Sequence, residues 1–188
     1  KDLESILELE PDSDSEHEVI YPVERLRDFK EVESQRRQAN IFFRSNQYSF
    51  SSYNKENAQS IMRLAINWEK TSTHPTDGCD IRITEFLIGN FDVLGISGYS
   101  LLINGEVAAN LFGEKINNQT FVIYSIKADR RYKGAYQAFL SLVCKHPSFQ
   151  DISFINNTNL TDVPGLKESK LRLKPSRMIV PWTAKLPN

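Results

Sequence analysis

The chain is expected to adopt an α/β (α+β) fold in which a mixed, mostly antiparallel central sheet is flanked by helices. Three observations carry this expectation. Apolar residues recur at helical spacing through most of the first 91 positions. The period then drops to two around Asn104-Gly105, a strong two-residue hairpin turn. Finally, TFVIYSIKADRRYKGAYQAFLSL, residues 120–142, reads as a strand, a basic turn and an amphipathic helix.

In chain order, Val23 to about Gln47 predicts a helix, with Leu26, Phe29, Val32, Ala39 and Phe43 on one face and Arg36 and Arg37 off it. Asn54 can cap a second helix carrying Ala58, Ile61, Met62, Ala65 and Trp68. THPTDG, residues 73–78, is a turn-rich loop, and a third helix from Asp80 to about Phe91 should bury Ile83, Phe86, Leu87 and Phe91. Tyr99, Leu101 and Ile103 alternate as a strand, and Val107 to Phe112 returns as its partner. Asn117-Asn118 turns the chain into a third strand, Thr120 to Lys127. A helix from Gly134 to Lys145 follows, then a short strand, Asp151 to Asn156. Asp162 caps a brief helix from Pro164 to Lys170, and Met178 to Trp182 ends as an edge strand interrupted by Pro181.

With 188 residues, 40% of them hydrophobic, the chain can bury one good core or two small ones. No apolar run approaches the roughly 20 residues that span a bilayer. The start carries neither a signal pattern nor an initiator Met, so a piece of a longer protein is expected. Cys79 and Cys144 share no metal or redox spacing and fit a reduced, cytoplasmic setting. Residues 1–18 hold one lysine against eight acids, a net of −7, which leaves +6 for the rest. The expected organisation is therefore an acidic flexible leader, 1–19, ahead of a moderately basic domain, 20–188. Three scattered histidines form neither a triad nor a metal-ligand set. Ser97 and Ser100 lie in a strand pattern and not a nucleophile elbow, so hydrolase readings are poor and no metal is expected.

The turn after the third strand carries the chemistry. A strand feeding a helix through a short, basic, glycine-containing turn points main-chain N–H groups and the positive helix end at one spot. Such a turn suits an anion. Arg130-Arg131-Tyr132-Lys133-Gly134-Ala135 resembles the Gln/Arg-x-x-Gly-x-Gly/Ala pattern with which GNAT-type N-acetyltransferases hold the pyrophosphate of coenzyme A. Lys133 stands where the first glycine belongs. Helices, a β-meander and then strand–helix–strand–helix–strand is also the order of a GNAT-like fold.

Several further motifs, in the right order, resemble the C-terminal domain family of phosphatidylglycerol lysyltransferase. They are Arg36, Arg37 and Phe43 in the first helix, Lys127-Ala128-Asp129 before the turn and Gly134-Ala135-Tyr136-Gln137 opening the next helix. Asn156, Gly165-Leu166, Lys170 and Pro175 continue the likeness over about residues 20–182. The departures fall on polar positions: Ser125-Ile126, Asn157-Thr158, Lys167 and Gln38 replace charged or amide residues of that family's pattern.

The resemblance implies a transferase that moves an aminoacyl or acyl group from aminoacyl-tRNA or acyl-CoA to an amine or hydroxyl. It also implies an upstream tandem GNAT-like domain and contact with a membrane surface. Transfer needs a base or proton path, donors near the developing oxyanion and a grip on the donor's phosphates. Lys127, Asp129 and Asn156, at strand ends beside the expected cleft, are the catalytic candidates. Arg130, Arg131, Lys133, Gly134, Ala135 and Gln137 are the candidates for holding the anionic donor. Arg36 and Arg37, with Phe42, Phe43 and Arg44, form a basic-aromatic candidate surface for tRNA. The alternative is a non-catalytic interaction module that kept the fold and lost the site.

Overall fold

A computed structural model describes residues 8–11, 17–72, 78–159 and 164–185. Its centre is a seven-strand sheet whose order is β3-β4-β5-β6-β7-β2-β8. The strands are β2 (Glu18–Pro22), β3 (Ser49–Ser52), β4 (Ser97–Ile103), β5 (Glu106–Lys115), β6 (Thr120–Ala128), β7 (Phe154–Asn159) and β8 (Arg177–Ile179). Every neighbouring pair is antiparallel except β6–β7, which is parallel. A separate two-strand sheet joins β1 (Glu8–Pro11), a segment expected in the acidic leader, to β9 (Trp182–Lys185). The mixed, mostly antiparallel sheet with flanking helices is the expected class.

The predicted first helix divides into α1 (Val23–Asp28) and α2 (Glu33–Ser45). Phe29 ends α1 in the left-handed region, φ 49°, where an aromatic residue is strained. Its ring is fully buried, which holds the backbone there. The other helices are α3 (Ala58–Thr71), α4 (Cys79–Gly89), α5 (Phe91–Leu94), α6 (Ala135–Lys145) and α7 (Pro164–Leu171). Asn54 caps the 3-10 turn Lys55–Asn57 that leads into α3. In α4 only Leu87 of the expected apolar set is buried, while Ile83 and Phe86 are exposed. The last predicted strand is broken at Val180-Pro181 into β8 and β9. The 73–77 loop and the Asp162 cap lie outside the described residues.

Helices cover both faces of the sheet. One core joins α1, α2 and α6 to the sheet through Leu26, Phe42, Tyr99, Leu101, Leu111 and Phe139. A smaller core joins α3 and α4 through Ile61, Leu64, Leu87 and Phe112, with Leu102 packed against it. Successive β4 residues thus serve opposite cores, as a period-two strand must. The β4–β5 hairpin turns at Asn104 and Gly105, both with positive φ, the type I′ geometry that Asn-Gly favours.

Two local irregularities break the regularity of the sheet. Between β5 and β6 the register slips at Phe112/Gly113, leaving Tyr124 as an extra residue that bends β6. Gly113 permits this, since a Cβ there would overlap the Val122 carbonyl and the Phe121 ring. On β7 the Asn156 side chain accepts from the Thr158 amide at 2.8 Å and Thr158 takes φ 42°. The β2–β7 register slips at the same place. Pairing between β6 and β7 accordingly runs only from Thr120↔Phe154 to Val122↔Asn156. Beyond it the two strands part.

Candidate functional site

The gap between the parted strands opens into a cleft of about 660 Å³. One wall is β6 from Ile123 to Ala128, and the other holds Asn157, Thr158 and the α7 residues Gly165, Leu166, Ser169 and Lys170. Trp68 and Ser72 from the end of α3, Asp80 from α4, Arg130 and Tyr136 close the rim. The opening is lined by hydroxyls, amides and cations as well as apolar atoms. A ligand entering it would lie along the edge of β6 that β7 has left, where main-chain groups point into the gap.

The cations at the rim are held in place. Lys127 Nζ lies 2.9 Å from Asp80 Oδ2 and 4.5 Å from the Trp68 ring centroid. The Arg130 guanidinium sits over the same ring and donates to the Thr71 carbonyl at 2.8 Å. Trp68 therefore presents an aromatic face backed by two positive charges. Deeper in the cleft, Lys170 Nζ donates to the Asn157 carbonyl at 2.8 Å, and Asn157 Nδ2 donates to Tyr136 Oη at 3.2 Å. Burial pushes the Tyr136 phenol up to about 12, against a smaller opposing effect of the Asn157 bond. Burial likewise raises Tyr124, with Glu114 beside it, to about 12. Both phenols are neutral near pH 7. Tyr21 of β2 donates to the Lys170 carbonyl at 2.9 Å and so fixes α7 against the sheet.

Of the residues singled out in the sequence, Lys127 and Arg130 line this cleft. Asp129 leaves the strand: its amide bonds the Ala108 carbonyl at 2.8 Å and its carboxylate receives the Arg131 amide and guanidinium. Burial of Asp129 opposes ionisation, but those Arg131 bonds outweigh it and hold the carboxyl below the usual range. Asn156 turns away from the cleft toward Glu18, donating to Oε2 at 2.7 Å. Its neighbour Asn157 takes the lining position.

The turn and the start of α6 engage the protein itself. The Tyr132 amide bonds the Asp129 carbonyl at 3.2 Å and the Ala135 amide bonds the Tyr132 carbonyl at 3.0 Å. Gly134 has φ 81° and faces α2 so closely that a Cβ would overlap the Gln38 carbonyl. Ala135 is buried, and Gln137 Nε2 bonds Gln35 Oε1 at 2.8 Å across to α2. Lys133 is exposed. On the outer face of α2, Arg36, Arg37, Asn40 and Arg44 line a shallow groove. Phe42, expected beside them, is fully buried, whereas Phe43 pairs with the exposed Tyr48 at 5.6 Å.

Sequence reasoning passes over Trp68, Asp80, Tyr136, Asn157 and Lys170 as site residues. Tyr136, Asn157 and Lys170 stand within or beside motifs of the family likeness, which is the available signal. Trp68 is hidden in the apolar series of α3.

A central sheet with one parallel pair that parts over a cleft, followed by a turn and a helix, defines a GNAT-like α/β domain. The chain belongs to the family described as phosphatidylglycerol lysyltransferase, C-terminal, which matches residues 4–184. It is similar to a conserved protein of unknown function from Bacteroides thetaiotaomicron, with TM-score 0.80, 24% identity, and coverage of 98% of this chain and 64% of that one. It is also similar to L-PGS from Bacillus licheniformis, with TM-score 0.63, 14% identity, and 97% and 62% coverage. A tandem GNAT protein from the clavulanic acid biosynthesis pathway matches with TM-score 0.51, 10% identity, and 94% and 55% coverage. The chain thus spans less than two thirds of each of these solved chains. No curated protein matches the sequence. Among the described residues no helix is long and apolar enough to cross a membrane.

Proposed function

We propose that this domain transfers an aminoacyl group from aminoacyl-tRNA to an amine or hydroxyl acceptor, with the β6–β7 cleft as the reaction site. The observation that carries the reading is the open cleft itself, a largely apolar groove on which a few polar and cationic side chains converge. A domain that had lost its site would be expected to fill the split with apolar side chains. Acyl-CoA is the less favoured donor. A pyrophosphate in the turn needs free amides and clearance for its oxygens, but the Asp129, Arg131, Tyr132 and Ala135 amides are taken and Gly134 abuts α2. Contact with donor phosphates then falls to side chains, Arg130 at the cleft rim and exposed Lys133 beside it. The arginine row of α2 offers further phosphate contacts, because guanidinium groups match phosphate oxygens in pairs. The tandem architecture of one structural neighbour supports an upstream GNAT-like companion in the full protein.

Calorimetry of the folded domain with charged tRNA and with acetyl-CoA tests the choice. Charged tRNA is expected to bind at micromolar concentration, with affinity falling steeply as salt rises, and acetyl-CoA is not. Binding of acetyl-CoA alone would reverse the choice of donor. Binding of neither would favour the second reading, a non-catalytic module. That reading draws support from Lys127 and Asp129, two of the three strand-end candidates, each of which is already paired within the chain.

A further inference from the structure

Tyr136 is the one phenol at the base of the split that receives a hydrogen bond without giving one among the described residues. Its oxygen accepts from Asn157 Nδ2 at 3.2 Å. Asn157 is itself buried and anchored, since its carbonyl accepts from Lys170 Nζ at 2.8 Å. With one lone pair occupied by the amide, the O–H vector must point elsewhere, and Tyr136 lines the cleft. The residue lies in the first turn of α6, an eleven-residue helix, where the aligned peptide dipoles favour negative charge nearby.

We propose that Tyr136 donates the hydrogen bond that stabilises the tetrahedral oxyanion of the transfer, with Asn157 as its positioning residue. The inference rests on the transferase reading above and extends it to a named group. In the step, a lone pair of the acceptor nitrogen or oxygen forms a bond to the donor's ester carbonyl carbon. The carbonyl π pair moves onto its oxygen, which Tyr136 then holds. Collapse restores the carbonyl and breaks the bond to the ribose oxygen of the donor, which leaves with the proton released by the acceptor. Tyr136 keeps its proton throughout. A neutral donor fixed in a partly water-excluded gap costs no reorganisation as charge develops, which is the physical basis of oxyanion stabilisation.

The test compares wild type, Tyr136→Phe, Asn157→Ala and the double variant, using charged tRNA and a panel of amine and hydroxyl acceptors in steady-state assays. Tyr136→Phe is expected to lower kcat by roughly 100-fold with KM within about twofold, the loss typical of one oxyanion donor. Asn157→Ala should lower kcat by about tenfold, and the double variant should be no worse than Tyr136→Phe, because both act through one hydrogen bond. A purely structural role would instead lower the melting temperature and raise KM. Should the Phe variant fail to fold, Asn157→Ala carries the same kcat-against-KM test. An active wild type with an unaffected Phe variant overturns this inference alone. A wild type inactive with every acceptor overturns it together with the transferase reading.

Discussion

The cleft and the basic turn are adjacent on the chain, yet they use their polar groups in opposite ways. Beyond Val122 and Asn156 the strands of the cleft stop pairing and expose edges, hydroxyls and a phenol to the gap. In the turn, a few residues later, amides and charges close on one another: Asp129 with Arg131, Tyr132 with Asp129, Ala135 with Tyr132. Both look functional in sequence, because both are polar and follow a strand. The difference teaches that a basic, glycine-containing turn is an anion site only where its amides lack an internal partner. Here the Asp129, Arg131, Tyr132 and Ala135 amides have internal partners, and Gly134 and Gln137 pack the start of α6 against α2.

The largest effect that could break this comparison is at Gly134. Gly134→Ala places a β-carbon in the left-handed region and against the Gln38 carbonyl. Urea denaturation should show a loss of about 2–4 kcal/mol, in the range of backbone strain plus overpacking. If the turn were instead an open ligand loop, the loss would stay near the roughly 1 kcal/mol of left-handed strain alone.

A second, intermediate effect asks whether Lys127 belongs with the cleft or with the turn. Its ammonium is mostly buried against Asp80 and Trp68. Lys127→Met keeps the aliphatic stem and removes the charge. The expected stability loss is about 1–2 kcal/mol, between the values for exposed and buried pairs. If the cleft binds the donor, charged-tRNA affinity should fall in addition by roughly tenfold, the equivalent of about 1.4 kcal/mol. A stability loss with unchanged affinity would make Lys127 a structural cation like Arg131.

Much of the fold is legible in the sequence because its signals are local. Asn104-Gly105 demands one hairpin geometry, and the alternation of Tyr99, Leu101 and Ile103 survives in the core. The break between α1 and α2 is not legible, since Phe29 adopts a glycine-like conformation only because the core holds its ring. Strand β3 (SFSS) carries one apolar residue and gives no periodic signal. Ile83 and Phe86 show helical spacing, but spacing alone does not say which stripe of a short helix faces inward. Of the cleft, only Lys127 and Arg130 are legible in the sequence as site residues. The strand end and the family likeness select Asn156, whereas Asn157, the next residue and therefore on the opposite face, lines the cleft.

The smallest effect is also the most discriminating for the turn, because it has a sign in pH. Asp129 has a carboxyl held below its ordinary range by Arg131, despite opposing burial. A depressed carboxylate contributes stability that is present above its unfolded value, near 3.9, and is lost as pH falls through the lower folded value. Arg131 is largely exposed, so solvent screening keeps the contribution small at neutral pH. Arg131→Ala should therefore lower stability slightly at pH 7, and the gap from wild type should shrink steadily below about pH 4. Denaturation curves collected from pH 7 down to pH 3 measure that gap directly. A gap that stayed constant with pH would mean that the Asp129–Arg131 pair does not hold the turn closed, and the contrast between an open cleft and a self-satisfied turn would lose its electrostatic half.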